Sequence, residues 1–279
     1  MEKSRFIEMS KDEIVSEMYS GFKEGKEDQM KKCDQVSLWQ QNACFDMMLG
    51  ITDISQRSNI LDIGCGIGNN TAKLAKSLSD NKSKVVGIDI IKERIDIAKD
   101  IYQTIPNLEF HYGFAEDAFQ FGSNFDLIIS SLCLQWITPG KREQAMKSIY
   151  QCLANDSEFI FNMEKYDALK LLGNTQLNHV QRNYQKHEYH LMRKEEIESI
   201  VLNTGFKKCE IMEHEIFIPL PDLDYLLELF ASYVMFSEDF NLLLNDMKAI
   251  CEKENIPHLY DNYGHVVFRN ICYFVRCTK

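Results

Sequence analysis

The fold is decided by residues 59–69, which read Asn-Ile-Leu-Asp-Ile-Gly-Cys-Gly-Ile-Gly-Asn. The first five residues form a short, largely apolar run, which is typical of a buried parallel strand. Gly64, Gly66 and Gly68 have no Cβ, so they allow a sharp turn and let a ligand approach the backbone. Asn69 can then begin a helix. The stretch therefore predicts a strand, a turn and a helix that together bind a nucleotide-like ligand.

The spacing of the glycines argues against a dinucleotide ligand. The pattern G-x-G-x-x-G needs its third glycine at position 69, where this chain has Asn69, and the glycine is instead Gly68. Asp62 lies at the end of the strand, where a carboxylate repels a pyrophosphate but attracts a cation. A positively charged ligand therefore fits this turn better.

Three later segments continue the same pattern in order. Residues 84–89 form a second apolar run that ends in Asp89, a position where a carboxylate can bind ribose hydroxyls. Residues 108–116 and 125–131 predict a third and a fourth strand with their exits. Four ordered motifs make a purely structural turn at the glycines a poor explanation.

These motifs resemble those of the class I S-adenosylmethionine-dependent methyltransferases, and the resemblance extends over about residues 55–165. It implies S-adenosyl-L-methionine as the cofactor, whose sulfonium and ammonium groups suit a site with a strand-end acid. An acid that many members have at the position of Phe114 is absent, which leaves Glu116 and the backbone around Ala115 to contact the adenine. The cofactor-binding residues implied by the resemblance are Asp62, Gly64, Cys65, Gly66, Gly68, Asp89, Ile90, Ala115, Glu116 and Ser131.

Periodicity along the chain predicts an α/β fold, which with the resemblance implies a Rossmann-like, mostly parallel sheet with an antiparallel last strand and a helical cap. The predicted strands are 59–63, 84–89, 107–112, 125–131, 157–163, 206–218 and 266–277. The predicted helices are 11–23, 34–49, 69–79, 92–103, 141–153 and 194–203. We expect residues 1–50 to form an amino-terminal cap segment and residues 51–279 the methyltransferase domain, with helical cap insertions at about 164–193 and 219–258.

The composition excludes several classes of function. The net charge of −11 and the pI near 5.2 argue against a nucleic-acid partner, which needs clustered Lys and Arg. No run approaches the ~18 apolar residues of a membrane span, so no membrane partner is expected. The nine scattered cysteines predict free thiols in a reducing, cytoplasmic compartment. His187 and His190 have no third ligand beside them, so no metal site is predicted. The sequence leaves the oligomeric state open, with a monomer as one option.

The segment Ser130-Ser-Leu-Cys-Leu-Gln-Trp136, with residues 145–153, resembles small-molecule carboxyl methyltransferases of the juvenile hormone acid, trans-aconitate and malonyl-carrier-protein types. This resemblance implies that Trp136 and Gln40 orient the carboxylate of a small methyl acceptor through N–H donors. A carboxylate has a pKa of about 4 and is ionised at neutral pH, so it needs no general base. The alternative for Trp136 is an ordinary core residue.

A rival interpretation comes from residues 266–275, which resemble histamine N-methyltransferase. There Asn270 matches an asparagine that contacts the amine substrate, whereas its structural alternative is an amide bonded to nearby backbone. The sequence thus favours a methyl-ester-forming enzyme, with N-methylation of a small amine as the alternative. A non-catalytic cofactor-binding module is the second alternative.

Overall fold

The computed structural model describes Leu38 and residues 40–78, 83–165, 190–220 and 266–279, except for the side chains of residues 217–220 and 266–270. The chain divides into two compact units. The sheet unit comprises Cys44–Lys165, His190–His214 and Cys272–Lys279. The second unit comprises Met1–Ala43, Tyr166–Tyr189 and Glu215–Ile271. Most of the predicted cap, His187 included, lies outside the described residues, so the predicted domain organisation stays a prediction.

Seven strands in the described ranges form one mixed sheet. They are β1 (Asn59–Ile63), β2 (Lys84–Asp89), β3 (Leu108–Tyr112), β4 (Phe125–Ser131), β5 (Leu153–Glu164), β6 (Lys208–Leu220) and β7 (Val266–Thr278). The strand order is β3-β2-β1-β4-β5-β7-β6. The pairs β1–β2, β1–β4, β2–β3 and β4–β5 are parallel, and β7 is antiparallel to β5. The predicted mostly parallel sheet with an antiparallel last strand is confirmed.

Of the described α-helices, one precedes β1 and four lie between strands along the chain. They are α1 (residues 40–49), α2 (Asn69–Ser77), α3 (Lys92–Tyr102), α4 (Pro139–Cys152) and α5 (Lys194–Thr204). Short 3₁₀ helices lie at Ile54–Gln56, Ala115–Phe121 and Leu134–Trp136. No helix within these ranges has the length and apolar character needed to cross a lipid bilayer.

Apolar side chains cover both faces of the parallel strands. One face joins Leu61, Val86 and Phe159 to residues of α4 and α5 in a large buried cluster. The other face packs Phe110 of β3 against Ile95 and Ala98 of α3 in a smaller cluster. A parallel sheet buried on both faces binds ligands at the carboxyl ends of its strands, because loops alone remain open there.

Buried charge closes the opposite end of the sheet. Glu158, which is 5% exposed, is paired with Arg57 and Arg276 and accepts a hydrogen bond from Thr52 Oγ1 at 2.9 Å. Arg57 precedes β1 and Arg276 lies on β7, so these two ion pairs join β5 to β7 and to the segment before β1. A group whose hydrogen bonds are all made by the protein in this way suits a structural role.

Sequence and structure agree on most boundaries but not on the start of β5. The strands predicted at 59–63, 84–89 and 125–131 are confirmed with those limits. The prediction that β5 begins at residue 157 is wrong, because the strand begins at Leu153. Its pairing with β4 shifts register after Phe125, and Asp156 has a φ of 57°. Such an irregular, polar segment has no apolar periodicity to reveal it.

Candidate active site

The glycine turn after β1 is built around three left-handed residues. Gly64, Gly66 and Gly68 have φ angles of 78°, 57° and 81°. A Cβ on Gly64 would lie 2.3 Å from Cys133 Sγ, and one on Gly68 would lie 2.4 Å from the Phe110 ring. A Cβ on Gly66 would meet no atom within 4 Å. Packing therefore requires the first and third glycines, whereas the middle one leaves open space that a ligand can fill.

Asp89 ties the glycine turn to the end of β2. Its carboxylate accepts a hydrogen bond from the Gly66 amide at 2.8 Å and another from the Ile91 amide at 2.9 Å. The side chain is buried, and Ile90 beside it is half-buried. Each carboxylate oxygen has a second lone pair, so Asp89 can also accept hydrogen bonds from ligand hydroxyls.

Asp62 adds a second buried carboxylate at the carboxyl ends of the parallel strands, which we call the carboxyl edge of the sheet. It accepts a hydrogen bond from Thr71 Oγ1 at 2.6 Å, which ties the end of β1 to α2. Burial raises the pKa of Asp62 to about 7, and the nearby negative charge of Asp89 acts in the same direction. A cation bound here would favour the ionised form, so the electrostatics suit a positively charged ligand.

Two thiols flank this turn. Burial raises the pKa of the Cys133 thiol to about 12 and that of Cys65 well above its usual range, and Asp89 raises both further. A thiol is nucleophilic only as a thiolate. Cys65 and Cys133 are therefore protonated packing groups at neutral pH and not nucleophiles.

Glu116 and Ala115 lie on the 3₁₀ helix that follows β3 and are both buried. Lys141 Nζ of α4 lies 3.7 Å from Glu116 Oε1, so the glutamate already has a counter-charge. The contact of these two residues with the adenine stays a prediction.

The residues that follow β4 also lie at the carboxyl edge of the sheet. Ser131 ends the strand, and its buried hydroxyl oxygen has no hydrogen-bond partner within the described ranges. Leu132 follows with a φ of 50°, and its amide donates to Asn162 Oδ1 at 2.8 Å. Trp136 ends the next 3₁₀ helix and is 38% exposed, so its alternative as a core residue is wrong.

Sequence reasoning did not identify Asn162 or Leu132 as parts of this edge. The only signal for Asn162 was a polar residue inside the apolar run Phe-Ile-Phe-Asn-Met at 159–163. Nothing in the residue type of Leu132 indicates a left-handed conformation, because leucine rarely adopts one.

The structure says less about the two other residues that are predicted to contact the methyl acceptor. Gln40 is a buried residue of α1 and belongs to the second unit. Asn270 lies on β7, where its backbone is described but its side chain is not. Their roles towards an acceptor stay predictions.

The sequence of the chain is similar to those of known methyltransferases. The family model for a methyltransferase domain matches residues 60–156. Juvenile hormone acid O-methyltransferase of Bombyx mori is 24% identical over 234 residues, which cover 75% of this chain and 79% of that protein. Trans-aconitate 2-methyltransferase of Deinococcus radiodurans is 35% identical over 80 residues, which cover 29% of this chain and 28% of that protein.

A solved structure gives the same fold. It is phosphoethanolamine N-methyltransferase 2 of Haemonchus contortus with S-adenosylhomocysteine, at a TM-score of 0.60 and 15% identity. The match covers 97% of this chain and 60% of that one. These likenesses support the assignment of the chain as a class I S-adenosylmethionine-dependent methyltransferase, with the methyltransferase domain matched at residues 60–156. The methyltransferase therefore uses S-adenosyl-L-methionine, and the alternative of a non-catalytic module is set aside.

Proposed function

We propose that this methyltransferase methylates the carboxylate of a small molecule and releases a methyl ester. The observation that carries the proposal is the likeness to juvenile hormone acid O-methyltransferase, which extends over 75% of the chain. The shorter likeness to trans-aconitate 2-methyltransferase points to the same class of acceptor. Trp136, exposed at the exit of β4, supplies an aromatic N–H group at the edge where acceptors bind in open α/β sheets.

The residues of the carboxyl edge fit the cofactor. Asp62 would favour its cationic groups, Gly66 would leave room for it against the backbone, and Asp89 would accept hydrogen bonds from its ribose hydroxyls. S-adenosyl-L-methionine supplies an electrophilic methyl group when it is bound there. The protein then has to align the acceptor oxygen with that methyl group and exclude water.

The nucleophile needs no activation if it is a carboxylate. At neutral pH such a group is already ionised, whereas an ammonium group must first lose a proton to a base. The described residues place no thiolate at this edge, because the thiols of Cys65 and Cys133 are held protonated. These two thiols therefore supply no base that could deprotonate an ammonium acceptor.

The test uses purified protein and S-adenosyl-L-methionine that carries a radiolabelled methyl group. Juvenile hormone acid and trans-aconitate serve as acid acceptors, and histamine serves as the amine acceptor. Label in a methyl ester is released as methanol by mild alkali, whereas label on nitrogen is not. Rates are measured at a concentration of S-adenosyl-L-methionine that saturates the enzyme at each pH, so that the ionisation of Asp62 does not change them. Alkali-labile label with a rate that is then constant above about pH 6 supports the proposal, since the acid is fully ionised there. Alkali-stable label, or a rate that keeps rising with pH, would make the amine the acceptor.

Trp136→Phe separates orientation from folding. The phenyl ring keeps most of the aromatic surface but cannot donate a hydrogen bond, so we expect about tenfold lower kcat/KM with the acid and an unchanged Tm. Phe119→Leu is the control, because it alters another exposed aromatic side chain on the 3₁₀ helix after β3. Equal activity of Trp136→Phe and the unmodified protein would remove the proposed role of the indole.

A further inference from the structure

Asn162 lies near the carboxyl end of β5 and is fully buried. Its Oδ1 atom accepts a hydrogen bond from the Leu132 amide at 2.8 Å, and this contact identifies which end of the side-chain amide is the oxygen. Its Nδ2 atom has no hydrogen-bond partner in the described part of the chain. Burial of an unpaired donor destabilises a fold. Stability alone therefore does not account for an asparagine at this point of an apolar strand.

Leu132 is the residue that Asn162 holds. Its φ of 50° lies in the left-handed region, which a leucine rarely occupies. A residue keeps such a conformation only where its surroundings enforce it. Both the side-chain oxygen and the main-chain oxygen of Asn162 accept from the Leu132 amide, the latter at 3.2 Å. The hydrogen bond to the side-chain oxygen is the shorter of the two.

The conformation of Leu132 determines where the next residues lie. Cys133 follows at once, and its Sγ atom occupies the space beside Gly64 that a Cβ would need. The 3₁₀ helix Leu134–Trp136 comes next, and the Trp136 amide donates back to the Cys133 carbonyl at 2.9 Å. A change at Leu132 would therefore move both the packing of the glycine turn and the tryptophan.

We propose that Asn162 is a positioning residue for methyl transfer. Its side-chain oxygen holds Leu132 in the left-handed conformation, which sets Cys133 against the glycine turn and Trp136 at the carboxyl edge. Asn162 acts through these residues and does not itself contact the reacting atoms. The proposal rests on the methyltransferase activity and not on the chemical identity of the acceptor.

The decisive experiment compares Asn162→Ala with the double variant Asn162→Ala/Leu132→Gly. Glycine adopts a φ of 50° without a hydrogen bond to hold it, so Leu132→Gly should restore the left-handed conformation that is lost with the Asn162 side-chain oxygen. We expect Asn162→Ala to weaken the binding of S-adenosylhomocysteine about tenfold by calorimetry, and the double variant to recover most of that loss. Asn162→Asp keeps an oxygen in place and should also retain affinity.

A spectroscopic readout reports the position of Trp136 directly. In a Trp39→Phe background Trp136 is the only tryptophan, because the chain has two. We expect Asn162→Ala to change acrylamide quenching of its fluorescence and Leu132→Gly to restore it. Asn162→Thr repeats the test if the alanine variant does not fold, since threonine suits a strand and its shorter side chain does not present the amide oxygen.

Asn107→Ala is the matched control. Asn107 also joins two elements, since its Nδ2 atom donates to the Ala75 carbonyl at 3.0 Å, but it lies before β3, at the opposite end of the sheet. We expect a lower Tm with unchanged affinity for S-adenosylhomocysteine. If Asn107→Ala weakens binding as much as Asn162→Ala, or if Leu132→Gly restores neither affinity nor fluorescence, Asn162 is only a packing residue and the proposal is wrong.

Discussion

Two turns at the carboxyl edge of the sheet reach left-handed backbone angles by different means. After β1, three glycines have φ angles of 78°, 57° and 81°. After β4, Leu132 has a φ of 50° and its amide is bound to Asn162 on the neighbouring strand. Glycine adopts such angles at little cost, whereas leucine needs an external anchor. The first turn thus depends on its own residues, and the second depends on the folded sheet.

The first way to test this difference is to add a single methyl group at two positions of the glycine turn. Gly68→Ala places a Cβ against Phe110 and Ala98, so left-handed strain of ~1–2 kcal/mol and overpacking of ~1–3 kcal/mol should both reduce the free energy of unfolding. Gly66→Ala meets open space and should show the strain alone, yet lose cofactor affinity because the methyl group occupies the ligand side. Urea denaturation and calorimetry with S-adenosylhomocysteine measure both effects.

The two alanine variants separate packing from ligand contact. Similar losses of stability in Gly66→Ala and Gly68→Ala would show that the open side of Gly66 is not open in solution. Unchanged affinity in Gly66→Ala would show that the ligand does not approach this part of the turn.

Asp89→Ala gives the next largest effect. The variant loses the acceptor for the Gly66 and Ile91 amides together with the proposed ribose contact. We expect affinity for S-adenosylhomocysteine to fall by about tenfold to a hundredfold, the range for the loss of one hydrogen bond to a charged group. Calorimetry measures it, and Asp126→Ala serves as control because Asp126 also caps backbone amides but lies at the start of β4. A loss in Asp89→Ala no larger than in the control would remove its role.

Asp62 predicts how cofactor binding depends on pH. Its pKa in the folded protein is about 7, against an ordinary value of 3.8 for an aspartate. The folded state therefore retains a proton between about pH 4 and 7 that the unfolded chain releases, so the free energy of unfolding falls as pH rises through this window and is level above it. A cationic ligand needs the ionised form, so affinity should fall by up to about tenfold per pH unit below pH 7.

Asp62→Asn is the matched variant for this pH dependence. It keeps the shape of the side chain but does not titrate, so calorimetry from pH 5 to pH 8 should give weaker affinity for S-adenosyl-L-methionine with a much flatter pH profile. A profile as steep as that of the unmodified protein would assign the titration to another group.

Leu132→Gly alone should have the smallest effect. The variant relieves the left-handed strain but loses the leucine side chain and makes the unfolded chain more flexible, so the free energy of unfolding should change by no more than ~1 kcal/mol. Urea denaturation measures it. A much larger loss would mean that the leucine side chain, and not the anchored backbone, fixes the β4 exit.

The difference between a turn set by its own residues and a turn held by another strand also explains which features could be predicted from the sequence. The apolar runs at β1, β2 and β4 and the three glycines are local patterns, so their positions were predicted with the observed limits. The antiparallel direction of the last strand followed from the family resemblance, whereas the spatial order of the strands was not predicted. The start of β5 was missed because Asp156 and its neighbours pair irregularly with β4.

The candidate site was predictable only where the residue type itself reports the conformation or the charge. Asp62 and Asp89 follow apolar runs, which made them visible as strand-end acids. Asn162 acts on Leu132, thirty positions away, so its contact exists only when β4 and β5 lie side by side. The exposure of Trp136 likewise depends on the fold and could not be inferred from its neighbours in the chain.

The position of β7 has a consequence for synthesis of the protein. This strand comes last among the described elements, yet it lies between β5 and β6 and supplies Arg276 to the buried Glu158. While the chain emerges from the ribosome, β5 keeps one unpaired edge until residues 272–278 have been made. During that interval a free strand edge can pair with other chains. Ribosome-bound chains that lack β7 therefore expose this edge of β5, and we expect chaperones to protect it.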